Sequence, residues 1–331
     1  MKYKIRQLVG WVIFVIFLFL LAHYIWNHWE EFSFLGRLNS IYLFPVILTS
    51  LALPFLSSYR FFLTIEKLNK PVQFIYVFKF QVLGRFLNRI APQSGVVYKA
   101  HAFGKKLNLG YGPFFSSLIS FTWLDLLITV IFCTLLIGAY QPELKFGRFQ
   151  ALEIFMIISV VLLSSTVIAV KAFKKAPSNI SSRITPLRGL VVRISAHIRG
   201  GLKLVSDSKL VALGALIILK EILVSIIRLY FCFKLIGFSP EFAMLAIFMI
   251  LSRLSSVIII APGNFGIREF LYGYLSDWMG VGMSEGIFIS LTLRAIEFIL
   301  LGCLVCFFAF LDRLNVKKVS PCFNKNKKSI F

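Results

Sequence analysis

IAPGNFGIREFLYGYLSDW, residues 260–278, decides how the rest of the chain is read. Pro262, Gly263 and Gly266 interrupt a helix there, and Arg268 and Glu269 place opposite charges side by side. The runs before it (242–261) and after it (284–311) are almost wholly apolar. Non-helical backbone among such runs survives only against protein or a wet cavity, because lipid cannot satisfy the freed N–H and C=O groups. The stretch therefore predicts a broken element inside a helical membrane protein, with charge at the break.

The composition agrees. Of 331 residues 58% are hydrophobic and 15% charged, and the mean hydropathy is +0.84; a soluble chain carries about 25% charged residues. Several apolar runs reach the roughly 20 residues that a helix needs to cross a bilayer core. The net charge of +22 does not mark a nucleic-acid partner, since Lys and Arg cluster between the apolar runs. That is the pattern of cytoplasmic loops, and it suits anionic lipid headgroups. The five cysteines lie mostly within apolar runs and read as small buried hydrophobes, and the four histidines are scattered without metal-ligand spacing. Residues 1–25 begin like a signal peptide but offer no small-x-small cleavage site, so they read as an uncleaved first span.

The expected fold is an all-α polytopic membrane domain over residues 1–314, followed by a basic cytoplasmic tail at 315–331. About eight spans are expected, near 8–25, 41–63, 113–139, 152–172, 209–236, 242–261, 266–281 and 284–311. Segment 73–97 enters and leaves on one face, because the basic stretches on both sides of the next two spans must both be cytoplasmic. Segment 262–281 must cross, as a broken helix, if the tail is also inside. Both termini are then cytoplasmic in a bacterial or archaeal inner membrane. The loop 173–208 carries a basic amphipathic pattern that fits a helix lying on the inner leaflet.

The opening stretch has a partner. IAPQSGVVYKA at 90–100 parallels IAPGNFGIREF at 260–270: each has Ile-Ala-Pro, a Gly within four residues, then a basic residue, Lys99 or Arg268. Upstream, Arg85 stands seven residues before Pro92 and Arg253 nine before Pro262. Downstream, Asp125 follows Pro92 by 33 residues and Glu297 follows Pro262 by 35, each deep in an apolar run. Pro/Gly breaks at corresponding places in two halves point to a site between repeats, as in many secondary transporters. One element re-entrant and one crossing would suit an inverted repeat.

Ionisable residues at span depth cost a few kcal/mol and face a bundle interior. Those here are Arg85, Asp125, Lys220, Glu221, Arg228, Arg253, Arg268, Glu269, Arg294 and Glu297. Glu221 and Arg228 lie two turns apart, and Arg294 three residues before Glu297, spacings that allow local ion pairs. The excess of cationic side chains around the breaks suits a phosphate headgroup. There is no paired-carboxylate motif for Mg²⁺, no HExxH and no Gly-rich phosphate loop in the sequence, so neither an enzyme nor a cofactor is expected.

The run Pro262, Gly263, Gly266, Arg268, Glu269 resembles the P-G-x-x-G-x-R-E motif of the lysylphosphatidylglycerol synthase transmembrane-region family, the flippase-like integral membrane proteins. Asn88, Pro92 to Gly95 and Lys99 resemble that family's first-half motif, and Asp125 the acid of its following helix. Val96 stands where the family commonly has Glu, Lys99 where it has Arg, and Phe121 and Thr122 where it has Glu-Arg. The resemblance implies binding and translocation of a phospholipid or a polyisoprenyl-linked lipid between leaflets, by a stand-alone form without the aminoacyl-transferase domain. Arg85, Arg253 and Arg268 would then attract phosphate, and Asp125, Glu269 and Glu297 would neutralise or orient them. Neutral substitutions at Arg268 and Glu269 are expected to slow translocation while leaving expression intact. The alternative is a transferase or accessory factor in polyisoprenoid-linked glycan assembly. Expected partners are membrane lipids, with room for a homo-oligomer or for lipid- or glycan-synthesis enzymes.

Overall fold

Helix follows helix along the chain, as its apolar runs dictate. The computed structural model describes residues 38–68, 72–91, 93–107, 111–140, 145–146, 149–175, 207–255 and 266–319, with a few isolated positions before residue 38. The helices are α1 (Leu43–Leu68), α2 (Phe74–Ile90), α3 (Ser94–Leu107), α4 (Tyr111–Tyr140), α5 (Ala151–Lys175), α6 (Ser208–Leu235), α7 (Phe242–Ser255), α8 (Ile267–Trp278) and α9 (Met283–Val319). Two short strands, β1 (Lys145–Phe146) and β2 (Phe149–Gln150), pair antiparallel between α4 and α5. Sequence patterning does not foresee that hairpin.

Among the described residues four stretches are long and apolar enough to cross a membrane: Ser40–Lys67, Ser117–Tyr140, Ser208–Leu235 and Met283–Arg313. Leu152–Ser164 and Phe242–Leu254 are shorter apolar helices. At 1.5 Å per residue the 12-residue α8 rises about 18 Å, short of the ~30 Å core. It cannot cross by itself, and a crossing there requires residues before Gly266, which lie outside the described residues. So do most of the expected first span at 8–25 and the amphipathic pattern within 173–208. The tail expected from residue 315 is helical at its start, since α9 runs to Val319.

α1 and α6 run antiparallel and are tied at both ends. The Asn39 N–H donates to the Leu235 carbonyl at 2.9 Å, and Lys67 Nζ stands 3.0 Å from Asp207 Oδ2. Asp207 also caps α6, its Oδ1 accepting from the Lys209 and Leu210 N–H groups. The Lys67 hydrogen bond, then those from the backbone, hold its carboxyl below the usual range. The tie therefore holds above the ordinary carboxylate range and is lost only as pH falls through that lowered value.

α2 and α3 form the hairpin expected near 73–97, and it is longer than expected, its second arm reaching Leu107. The turn satisfies its own backbone. Asn88 Oδ1 accepts the Gly95 N–H at 2.7 Å, Ser94 Oγ donates to the Leu87 carbonyl at 2.7 Å, and Gln93 takes the left-handed conformation at φ 62°. The arms touch at Gly84 and Gly95, where a Cβ on Gly95 would lie 1.7 Å from the Gly84 carbonyl oxygen. Phe61, Phe80, Phe103 and Phe114 from α1 to α4 bury one side of the hairpin, with Phe103 ring centroids 5.2 and 5.3 Å from those of Phe61 and Phe80. A second core joins α6, α7, α8 and α9 through Phe233, Phe248, Tyr272 and Leu293. Between these two cores the charged residues meet.

Candidate functional site

A cavity of about 370 Å³ lies where α1, α2, α4, α6, α7, α8 and α9 converge. Its polar lining holds six arginines, Arg60, Arg85, Arg89, Arg228, Arg253 and Arg268, and three carboxylates, Asp125, Glu221 and Glu297. Each guanidinium rises from an apolar helix, so the bundle interior is the one place where its charge can be met.

The charges fall into two groups. In the first, Arg253 Nη2 donates to Asp125 Oδ1 at 2.5 Å and to Glu221 Oε2 at 3.1 Å. Arg60 stands behind it, 3.6 Å from Asp125 and 3.7 Å from Glu221, with its guanidinium over the Phe121 ring. In the second, Glu297 accepts from Arg228 Nη1 at 2.6 Å and from Arg89 Nη2, with Arg268 Nη1 at 3.9 Å. Arg268 also donates to the Tyr272 hydroxyl and lies over its ring, 5.0 Å from the centroid. Arg85 donates to Ser57 Oγ at 2.6 Å and, among the described residues, is in no ion pair.

A second pocket of about 440 Å³ shares Leu53, Arg85, Arg89 and Glu297 with the cavity. Its other walls are mostly apolar, with Leu51, Leu300, Leu301 and Leu304, and Asn88 beside the arginines. Charged side chains and leucines thus line the same pocket.

Seven of the residues singled out from sequence therefore line one cavity: Arg85, Asp125, Glu221, Arg228, Arg253, Arg268 and Glu297. The local pairs expected from spacing do not form. Glu221 pairs across helices with Arg253, Arg228 reaches Glu297, and Arg294 turns to Glu269 at 2.7 Å. Interhelical packing decides the partners, and i to i+3 proximity does not.

Glu269 lies outside the lining. It is wholly buried, its Oε2 accepts the Gly266 N–H at 2.6 Å, and its Oε1 faces Arg294 and Ser290 Oγ. Gly266, at φ 88°, opens α8, and Glu269 caps that opening. A neutral residue at 269 would remove the carboxylate that meets Arg294 and the Gly266 N–H, so a variant there is expected to lose stability as well as any effect at the site. Asn88 acts partly as a brace, through the Gly95 N–H. Lys99 is buried between the hairpin arms against Gly84, its Nζ donating to Gln81 Oε1 at 3.3 Å, and it is not among the cavity's lining residues. Lys220 is exposed beside an outer apolar groove of Leu48, Phe55 and Leu223. Pro92, Pro262 and Gly263 lie outside the described residues.

Sequence reading missed Arg60, Arg89 and Tyr272. Arg60 was legible as a lone cation within the apolar run 41–63. Arg89 stands four residues after Arg85, on the same face of α2.

A family model described as "Lysylphosphatidylglycerol synthase TM region" matches residues 7–304. No curated protein and no solved structure matches the chain. A match over nearly the whole length shows the family: the chain belongs to the lysylphosphatidylglycerol synthase TM region family and is a multi-pass membrane protein.

Proposed function

We propose that this family member holds the phosphate-bearing headgroup of a membrane lipid in its arginine-lined cavity and passes that lipid between leaflets. One observation carries the reading: six guanidinia and three carboxylates surround a cavity that shares Arg85, Arg89 and Glu297 with a leucine-lined pocket. Guanidinium forks match phosphate oxygens two at a time, and the leucines suit the first methylenes of an acyl chain. The headgroup crosses in the polar cavity while the chains stay in lipid.

The paired breaks support a duplicated scaffold. In each half a short helix ends near Ile-Ala-Pro, a second short helix follows, and a long one carries the acid: α2, α3 and α4 with Asp125, then α7, α8 and α9 with Glu297. Each acid takes an arginine from the other half, Asp125 from Arg253 and Glu297 from Arg89. Such crossed pairs would let the two halves exchange partners as the cavity changes the side to which it opens. The basic stretches support cytoplasmic termini in an inner membrane.

The test is leaflet-specific quenching of a fluorescent phospholipid in vesicles containing the purified protein. Arg85→Gln and Arg268→Gln are expected to slow translocation about tenfold or more, the worth of a charged hydrogen bond to the headgroup. Expression should stay near wild type, since Arg85 is in no ion pair among the described residues and Glu297 keeps Arg89 and Arg228 after Arg268 is neutralised. Wild-type rates in both variants would refute the role of the cavity. New covalent lipid species formed by the purified protein would instead favour a membrane-embedded transferase.

A further inference from the structure

Resting on that reading, we propose that the cavity selects lipids whose headgroup ends in a multiply charged phosphate, a monoester or a diphosphate, over phosphodiester lipids with one negative charge. The two charge groups differ in balance. Arg60 and Arg253 face two carboxylates, Asp125 and Glu221, and are neutral together. Among the described residues Arg89, Arg228 and Arg268 share one ion-pair partner, Glu297, and Arg85 is in no ion pair, so the lining's six arginines outnumber its three carboxylates by three.

That excess is not spread over the cavity. Arg85 and Arg89 stand with Glu297 where the cavity meets the leucine-lined pocket, at the place a headgroup would take if its chain lay along Leu300, Leu301 and Leu304. Arg85 has Ser57 as its hydrogen-bond acceptor, and Arg228 Nε is buried with no acceptor among the described residues. Uncompensated cations away from bulk water repel one another and have lost hydration, so a bound anion that cancels them is favoured in proportion to its charge. A phosphodiester brings one negative charge, whereas a phosphate monoester brings about 1.5 to 2 at neutral pH. A diphosphate brings more still. The monoester also offers three terminal oxygens to guanidinia set on several helices, which a diester does not.

The experiment is competition binding with the full-length protein in detergent. Fluorescent phosphatidic acid is displaced by unlabelled phosphatidic acid, phosphatidylglycerol or phosphatidylcholine. Phosphatidic acid is expected to compete about tenfold or more better than phosphatidylglycerol, with phosphatidylcholine weakest. Arg85→Gln should shrink the gap several-fold and Arg85→Lys should restore part of it, while Lys220→Gln, on the outer face, should leave it unchanged. Equal competition by all three lipids in the wild type overturns the selection, and phosphatidylglycerol translocation would still stand as evidence for lipid transport. Displacement of the probe by inorganic pyrophosphate at the concentration at which phosphatidic acid acts would make this a site for a soluble anion, and would also overturn the proposal. Absence of both binding and translocation for every lipid defeats the transport reading itself.

Discussion

Glu297→Ala is expected to lower the stability of the folded protein by roughly 3–5 kcal/mol, the cost of leaving buried charge without its partner. Glu297 is the acceptor for Arg89 and Arg228 and lies 3.9 Å from Arg268, and the Arg228 side chain is only 5% exposed. Without that carboxylate, Arg89, Arg228 and Arg268 lose their shared ion-pair partner, and the lining holds six arginines against two carboxylates. Glu297→Gln keeps acceptor oxygen but loses the charge, and should fall between alanine and wild type. Reversible unfolding in mixed micelles reads the difference. An alanine variant as stable as the wild type would mean that solvent already screens these arginines, and that the cavity is not the low-dielectric site described here.

Gly95→Ala should be nearly as damaging for a different reason. Its Cβ would stand 1.7 Å from the Gly84 oxygen and 2.6 Å from the Gly84 carbonyl carbon. Those are backbone atoms, so no rotamer change relieves the clash and the hairpin arms must part. Overpacking of this kind costs about 3 kcal/mol or more. Parting the arms also pulls the Gly95 N–H away from Asn88 Oδ1 and moves Arg85 and Arg89, which neighbour Gly84 and Asn88 on α2. The variant should therefore lose lipid translocation more steeply than stability. Gly84→Ala meets chiefly the Lys99 side chain, with Cγ at 2.7 Å, and that flexible chain can yield. A clear order, with Gly95→Ala worse than Gly84→Ala in both assays, is the expected result. Equal tolerance of both would show that the α2–α3 contact does not hold the arginines in place.

Much of this arrangement is legible in the sequence because a membrane leaves few choices. A charge within an apolar run has to face the interior, so Arg85, Asp125, Arg253 and Glu297, spread over more than 200 residues, were bound to share an interior. The break between α2 and α3 follows equally directly from the Pro and Gly that stand there among apolar residues. Partner choice was not legible. Spacing along one helix makes Arg294 and Glu297 neighbours, yet α9 turns Arg294 toward Glu269 on α8 and Glu297 toward α2 and α6. Glu269 reads as a site residue beside Arg268, but one position on a helix is a rotation of about 100°, which carries it off the cavity wall. There it meets the Gly266 N–H and becomes a cap. Arg60 was legible as a lone cation in its apolar run, whereas the leucine-lined pocket leaves no sequence mark because its leucines come from α1 and α9.

The central claim is that a lipid headgroup enters the arginine-lined cavity, and photolabelling tests it most directly. A phospholipid carrying a diazirine beside its phosphate is irradiated with the full-length protein in vesicles, and the adducts are mapped by peptide mass spectrometry. The account predicts adducts on cavity-side residues such as Asn88, Tyr272 and Leu301, reduced in Arg85→Gln. Adducts confined to outward-facing side chains such as Phe44 and Ile157, which are 73% and 64% exposed, would contradict it.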